Sequence, residues 1–244
     1  MKKLVLTSLI ALAASQSAGC IIESGDDTED ARISATWQLR SEASNTTAPC
    51  PPGYTTAALY NQPVDANGNN TGPVIIDLFD CAAGSGTSAP LPPTLYLTWV
   101  EIADDNNTNV FAQSLSAYVD VTVSDKTFNT QILVDGGYFQ VAWNLRGEQT
   151  NANLTCSAGG VTDGIEMIGT LISNPSYSNS DIFDCEDQSG ITAGYLQGSY
   201  TMTLQPLGPN ENPIGPTSTL NNKVITDRNQ VTNLGTVDVL ITGR

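Results

Sequence analysis

The chain has 244 residues, with 9 Lys and Arg against 25 Asp and Glu, no His, and a formal charge of −16. So acidic a surface repels nucleic acid and anionic lipid, and the lack of histidine excludes Ser-His-Asp and Cys-His catalysis. Its length suits one large or two ordinary domains.

In chain order the first element is an export signal. Lys2 and Lys3 precede a largely apolar run over residues 4–14, which falls short of the roughly 20 residues a membrane-spanning helix needs. Ser17-Ala18-Gly19-Cys20 resembles the lipobox of bacterial lipoproteins, with Ser17 standing where that motif favours Leu. The resemblance implies cleavage after Gly19 and a lipid on Cys20, so that the chain is held to the membrane through that anchor. Ordinary cleavage near Ala11-Leu12-Ala13 would leave Cys20 as an odd exported thiol. Ile21, in place of an Asp, implies the outer membrane, on its periplasmic or exterior side. Residues 20–31 then read as a solvated acidic tether containing Glu23, Asp26, Asp27, Glu29 and Asp30. Without Lys2 and Lys3 the exported chain has seven basic and 25 acidic residues, a formal charge of −18.

Beyond the tether the chain repeats itself. Ile33 to Arg40 recurs 106 positions later as Phe139 to Arg146, and Cys50-x-x-Gly53-x-x-Thr56 recurs as Cys156-x-x-Gly159-x-x-Thr162. With a shift of 104, Leu78-Phe79-Asp80-Cys81 falls on Ile182-Phe183-Asp184-Cys185 and Tyr96 on Tyr200. Each copy is too long for a solenoid repeat and should own a core. The expected modules are 32–136 and 137–244, meeting at Gly136-Gly137, a short junction that implies limited movement between them.

Within each copy, period-2 runs alternate with Gly, Pro, Asn and Asp clusters, and no long helical period occurs. The expected strands lie near 33–40, 55–61, 74–80, 96–103, 117–123 and 128–134, then 138–146, 164–172, 181–185, 199–205, 219–226 and 235–242. Six or seven short antiparallel strands per module imply an all-β chain of two tandem immunoglobulin-like sandwiches.

Four cysteines besides Cys20 allow three pairings. A module duplicated as a unit closes its own bridge, so Cys50–Cys81 and Cys156–Cys185 are expected. A zinc site is the rival, but the chain has no histidine and no Cys-x-x-Cys. No metal and no cofactor are expected.

After the second cysteine of each copy come Leu91-Pro92-Pro93-Thr94-Leu95-Tyr96 and Tyr195-Leu196-Gln197-Gly198-Ser199-Tyr200. These resemble the Leu-Pro-Pro-Gly-x-Tyr turn of prealbumin-like sandwiches, the group holding carboxypeptidase-regulatory-like and collagen-adhesin B-type modules. The first copy keeps Leu-Pro-Pro and the second keeps Gly. The resemblance implies a spacer, adhesin or accessory domain and no enzyme. Some adhesin modules of the group carry a Lys-to-Asn isopeptide bond from the first strand, but the only exported lysines here, Lys126 and Lys223, come late in their modules.

Trp37 and Trp143 share the apolar parity of their strands and belong to the cores. Leu97 and Trp99 take the outward parity. The expectation is that they pack against the other module or a long loop; the alternative is a face that stacks a sugar or peptide. Arg40, Asp80, Arg146 and Asp184 also point outward, and an ion pair within each module, Arg40 with Asp80 and Arg146 with Asp184, is expected. Asp65-x-Asn67-x-Asn69 and Asp104-Asp105-Asn106-Asn107 read as turns rather than calcium sites.

The reading that follows is a lipid-anchored envelope protein with a non-catalytic, spacer-like or binding role, whose partner is an envelope protein or surface polysaccharide. Carbohydrate binding through Trp99 is one alternative, and an accessory hydrolase using paired carboxylates is another.

Overall fold

Alternation of apolar and polar residues buries one face of each strand. In Ile33–Ser41, for example, Ile33, Ala35, Trp37 and Leu39 are buried while Thr36 and Gln38 are exposed. The structure, a computed structural model, describes residues 30–244. The signal peptide, Cys20 and nearly all of the tether lie outside the described residues.

The first sandwich comprises β1 (Ile33–Ser41), β2 (Thr46–Thr47), β3 (Thr56–Val64), β4 (Ile75–Asp80), β5 (Ser85–Thr87), β6 (Leu95–Ala103), β7 (Val110–Gln113), β8 (Ala117–Asp120) and β9 (Lys126–Leu133). The second comprises β10 (Gly136–Gly147), β11 (Asn153–Leu154), β12 (Gly164–Leu171), β13 (Ser178–Phe183), β14 (Ser189–Ile191), β15 (Tyr195–Leu196), β16 (Gly198–Gly208), β17 (Asn212–Pro213), β18 (Ser218–Ile225) and β19 (Val231–Ile241). The long strands match the expected ones. Those missed are two to four residues long, too short to show a period.

The two copies share one topology. In the first, β1 pairs along one edge with β2 and β5 and along the other with β9, while the facing sheet runs β4-β3-β6 with β7 and β8 sharing the outer edge. In the second, β10 takes the place of β1, β19 that of β9, and β13-β12-β16 with β17 and β18 forms the facing sheet. One expectation is corrected here: β1 with β9 and β10 with β19 are parallel pairs. The chain crosses between the two sheets four times in each copy, so the last strand returns to the sheet of the first and lies beside it in the same direction.

Each sandwich holds its own apolar cluster, one drawn from Ala31 to Ile132 and the other from Phe139 to Ile241. Trp37 and Trp143 are buried in them, and their indole N–H groups donate to the carbonyls of Cys81 (2.9 Å) and Cys185 (3.3 Å). Cys50–Cys81 and Cys156–Cys185 form the two disulfides, with Cα–Cα distances of 6.2 and 6.0 Å. The turn that carried the resemblance also recurs: Tyr96 donates to the Pro92 carbonyl at 3.0 Å and Tyr200 to the Leu196 carbonyl at 2.8 Å. Each phenol thereby satisfies a turn carbonyl four residues back while its ring fills the core.

The expected ion pairs do not form. Asp80 and Asp184 instead cap the short 3-10 turns at the cysteines, accepting from the N–H of Ala82 (2.8 Å) and Glu186 (3.0 Å). Arg40 lies 3.8 Å from Glu42, and Arg146 lies 2.9 Å from Asp238. Outward parity proved an incomplete guide, because β1 and β4 belong to opposite sheets and their outward faces point away from one another.

Gly136 and Gly137 are not a slack linker. Both belong to β10 and pair with Leu196 and Tyr195. A Cβ on Gly136 would strike the Tyr195 carbonyl, and one on Gly137 the Gln230 carbonyl. Close approach, rather than freedom to bend, demands glycine here. Asn229, which is 4% exposed, reaches from the second sandwich into the first. Its side-chain carbonyl accepts from Leu133 N–H and its amide donates to the Gln113 carbonyl, both at 2.7 Å. Beside it, the Arg228 guanidinium lies 4.2 Å over the Phe111 ring.

Glu42 completes this junction. Its buried Oε2 has no hydrogen-bond partner, and any side chain at Gly194 of the second sandwich would meet it at 2.6 Å. Burial raises its carboxyl above the ordinary glutamate value, Arg40 pulls it down and Asp135 raises it further. Burial raises the phenols of Tyr138, Tyr177 and Tyr200, and the charge of Glu42 adds a smaller push in the same direction. A raised folded-state pKa gives stability that is present below the unfolded value and lost as pH rises through the folded one. Glu42→Gln should therefore melt above the parent at pH 7, with the gap closing as pH falls to about 4. Paired melting curves test this, and a gap that fails to shrink on acidification sinks the assignment.

Candidate functional site

The duplication supplies an internal comparison, because the same strands carry different residues on their outer faces. In the first sandwich Tyr60 of β3 lies between Ile76 of β4 and Trp99 of β6, and Leu97 of β6 lies between Gln62 and Tyr118. Leu78 sits one step along β4, opposite Ala58. Ile76, Leu78 and Tyr118 are 44%, 57% and 61% exposed. Together with the half-buried Tyr60, Leu97 and Trp99 they make an aromatic and aliphatic stripe across the whole sheet.

In the second sandwich the corresponding row has Ile168 between Ser180 and Thr203, with Thr219 beyond. Thr201 replaces Leu97, and Asn221 and Asn222 stand beside it at a bulge where Tyr118 stands in the first. Only Ile168 and Ile182 remain apolar. The scaffold therefore folds with Ser and Thr in these places, and the aromatic set in the first copy is not a requirement of the sandwich.

The sheet holds Tyr60 and Trp99 upright on neighbouring strands, so their rings stack at 4.9 Å and 7°. The Trp99 N–H donates to Glu101 Oε1 at 3.0 Å, and the Tyr60 hydroxyl accepts from Asn107 at 3.1 Å. Burial raises the Tyr60 phenol, and it stays neutral at physiological pH. Along its edge Trp99 has no paired residue, because the β6–β7 ladder ends on the Val100 side and β8 pairs only as far as Thr98. Leu97 and Trp99 thus lie on the face expected of them. Trp99 packs within its own sandwich, on Tyr60.

Tyr60, Ile76, Leu78 and Tyr118 were not legible as part of this face. The run Val74-Ile75-Ile76-Asp77-Leu78-Phe79 is apolar on both parities, so alternation cannot say which side faces out. The structure turns Ile75, Asp77 and Phe79 inward. Asp77 and its counterpart Asp181 thereby pin the next loop, accepting from Ala89 N–H (3.1 Å) and Ala193 N–H (3.0 Å), and burial raises the Asp181 carboxyl.

The loops around the stripe are the expected turns. Asp65 accepts from the N–H of Asn67 (2.8 Å) and Asn69 (2.9 Å), and the Asn69 side chain, foremost, lowers its pKa. Gly68 of this turn, at φ +81°, leaves room for the Tyr118 hydroxyl. Asp104 accepts from Thr108 N–H at 2.8 Å, which holds its carboxyl far below the ordinary range. Among the described residues no group of three or more His, Cys, Asp or Glu side chains is placed to hold a metal.

No protein-family model and no curated protein matches the chain. Among solved structures it is similar to a leucine-rich repeat protein from Bacteroides thetaiotaomicron, with 12% identity over 87% of this chain and a TM-score of 0.34, and it spans only 26% of that protein's length. It is also similar to a minor pilin of Streptococcus agalactiae, with 12% identity, 87% of this chain and 94% of that one covered, and a TM-score of 0.30. A shaft pilin of Lactobacillus rhamnosus gives 10% identity, 88% and 98% coverage, and a TM-score of 0.28.

Proposed function

We propose that this chain is an exported, non-catalytic envelope protein, anchored through a lipid on Cys20, in which module 137–244 is docked on module 32–136 and the first module carries a binding face. The observation that supports this is the divergence of one face between two copies of one fold. The aromatic side chains Tyr60, Trp99 and Tyr118, which a sandwich does not need for folding, are kept on module 32–136 alone. The disulfides fit an oxidising compartment, and the lipobox resemblance and Ile21 favour the outer membrane. The partner in this reading is an envelope protein or a surface polysaccharide.

Photo-crosslinking in the cell tests the face. A photoreactive residue at Tyr118 should give a discrete adduct, whereas the same residue at Thr219 in the matching strand of the other module should give none. Cys20→Ser, which should release the chain from the membrane fraction, checks the anchor in the same strain. Equal background at positions 118 and 219 would remove the binding face. A second reading, a spacer without a ligand, would then stand on the docked junction made by Asn229, Gly136 and Gly194.

A further inference from the structure

We infer that the ligand of this face is a neutral glycan chain, an inference that rests on the binding-face reading above. Two properties of the sheet select that chemistry. The first is charge. The strands β3, β4, β6, β7 and β8 contain no lysine or arginine, and the whole chain carries a formal charge of −16. An anionic polymer would meet repulsion and find no guanidinium or ammonium to hold it.

The second is the placing of polar groups among the apolar ones. The Glu101 carboxylate borders the stripe, next after Trp99 on the outer face of β6 and between Ala58 and Gln113, and Gln62 lies beside Leu97 at the other end. An apolar protein surface laid over these groups would strip water from Glu101 and return no hydrogen bond, and charged residues are depleted at the centres of such interfaces. Sugar hydroxyls return that hydrogen bond, while the C–H faces of the same rings pack on aromatic and aliphatic side chains. The exposed Tyr118, Ile76 and Leu78 and the Tyr60–Trp99 stack supply the apolar half of that pattern. The stripe crosses four strands about 4.8 Å apart, a span that suits several sugar units in a row rather than one.

The test uses the full lipidated protein, purified in a zwitterionic detergent so that no glycoside competes. Cellohexaose, mannohexaose, maltohexaose and laminarihexaose are the probes, with polygalacturonate as the anionic control. At least one neutral hexaose should show saturation transfer from the protein and perturb tryptophan fluorescence, and polygalacturonate should do neither. Trp99→Thr and Tyr60→Ile, which install the residues the second module uses at the same places, should each weaken binding about tenfold with little change in melting temperature. Tyr118→Ser, at an exposed position, repeats the test without touching the stack, and Thr203→Ala should leave binding unchanged. Saturation transfer from none of the four hexaoses, or equal binding by Trp99→Thr and Tyr118→Ser, overturns the inference. If the crosslink at position 118 then proves to be a protein, the binding face stands and the glycan falls; if neither adduct nor glycan is found, both readings fall.

Discussion

Replacing Cys156 and Cys185 together by alanine should lower the stability of the second sandwich by about 3–4 kcal/mol, and replacing Cys50 and Cys81 should do the same in the first. The bridges close loops with sequence separations of 29 and 31 residues, and loop-closure entropy varies slowly enough with length that both give nearly one value. Against the roughly 5–15 kcal/mol that holds an ordinary domain folded, the loss is large. It reaches the core as well, because the Trp37 and Trp143 indoles donate to the carbonyls of Cys81 and Cys185 and are oriented by them. Urea unfolding followed by near-ultraviolet circular dichroism would report both effects. A change below about 1 kcal/mol in each double variant would mean that the bridges constrain little in the unfolded chain.

Asn229→Leu should cost about 1–3 kcal/mol, because it strands the buried Leu133 N–H and takes its partner from the part-buried Gln113 carbonyl. The effect should be felt as loss of coupling rather than loss of either core, since both groups belong to one sandwich and the amide to the other. Calorimetry of the parent should show one cooperative transition, and that of the variant two. Asn229 also sits at φ 52°, a conformation asparagine tolerates and leucine resists. Asn229→Gly removes the amide without adding backbone strain, and it should still split the transition. An unsplit transition in the glycine variant would show that the amide bridge does not couple the modules.

What alternation and repetition could specify, they specified. The duplication of Trp, Cys and Tyr positions in the sequence implies two sandwiches and their disulfides, because a core tryptophan and a bridge each leave a mark at one sequence position. Properties that depend on two strands meeting left weaker marks. Asp80 and Asp184 were recognised as paired and outward, yet their partners are backbone N–H groups two residues on, a local cap that competes well with a distant arginine. The shortness of the Gly136-Gly137 junction implied limited movement between the modules, but the sequence did not show that the structure uses these residues for their lack of a Cβ. The candidate face was half legible: Trp99 and Leu97 followed from parity with the second copy, whereas Ile76 and Leu78 lay in a run with no parity to read, and Tyr60 and Tyr118 gain meaning only from the registers that set them beside Trp99 and Leu97.

The parallel ladders carry a mechanical consequence. In each sandwich the chain enters at the start of the first strand and leaves at the end of the last, and these two strands lie side by side in the same direction over eight residue pairs in the first and nine in the second. A pull between the chain's two ends therefore drags each pair along its length, so the ladder hydrogen bonds must fail together in shear rather than one after another as in a peeled hairpin. With the lipid anchor proposed above at its amino terminus, that geometry would convert modest thermodynamic stability into resistance to flow and traction. The disulfides of each sandwich, which join other segments, cap how far it could lengthen once the ladder gave way.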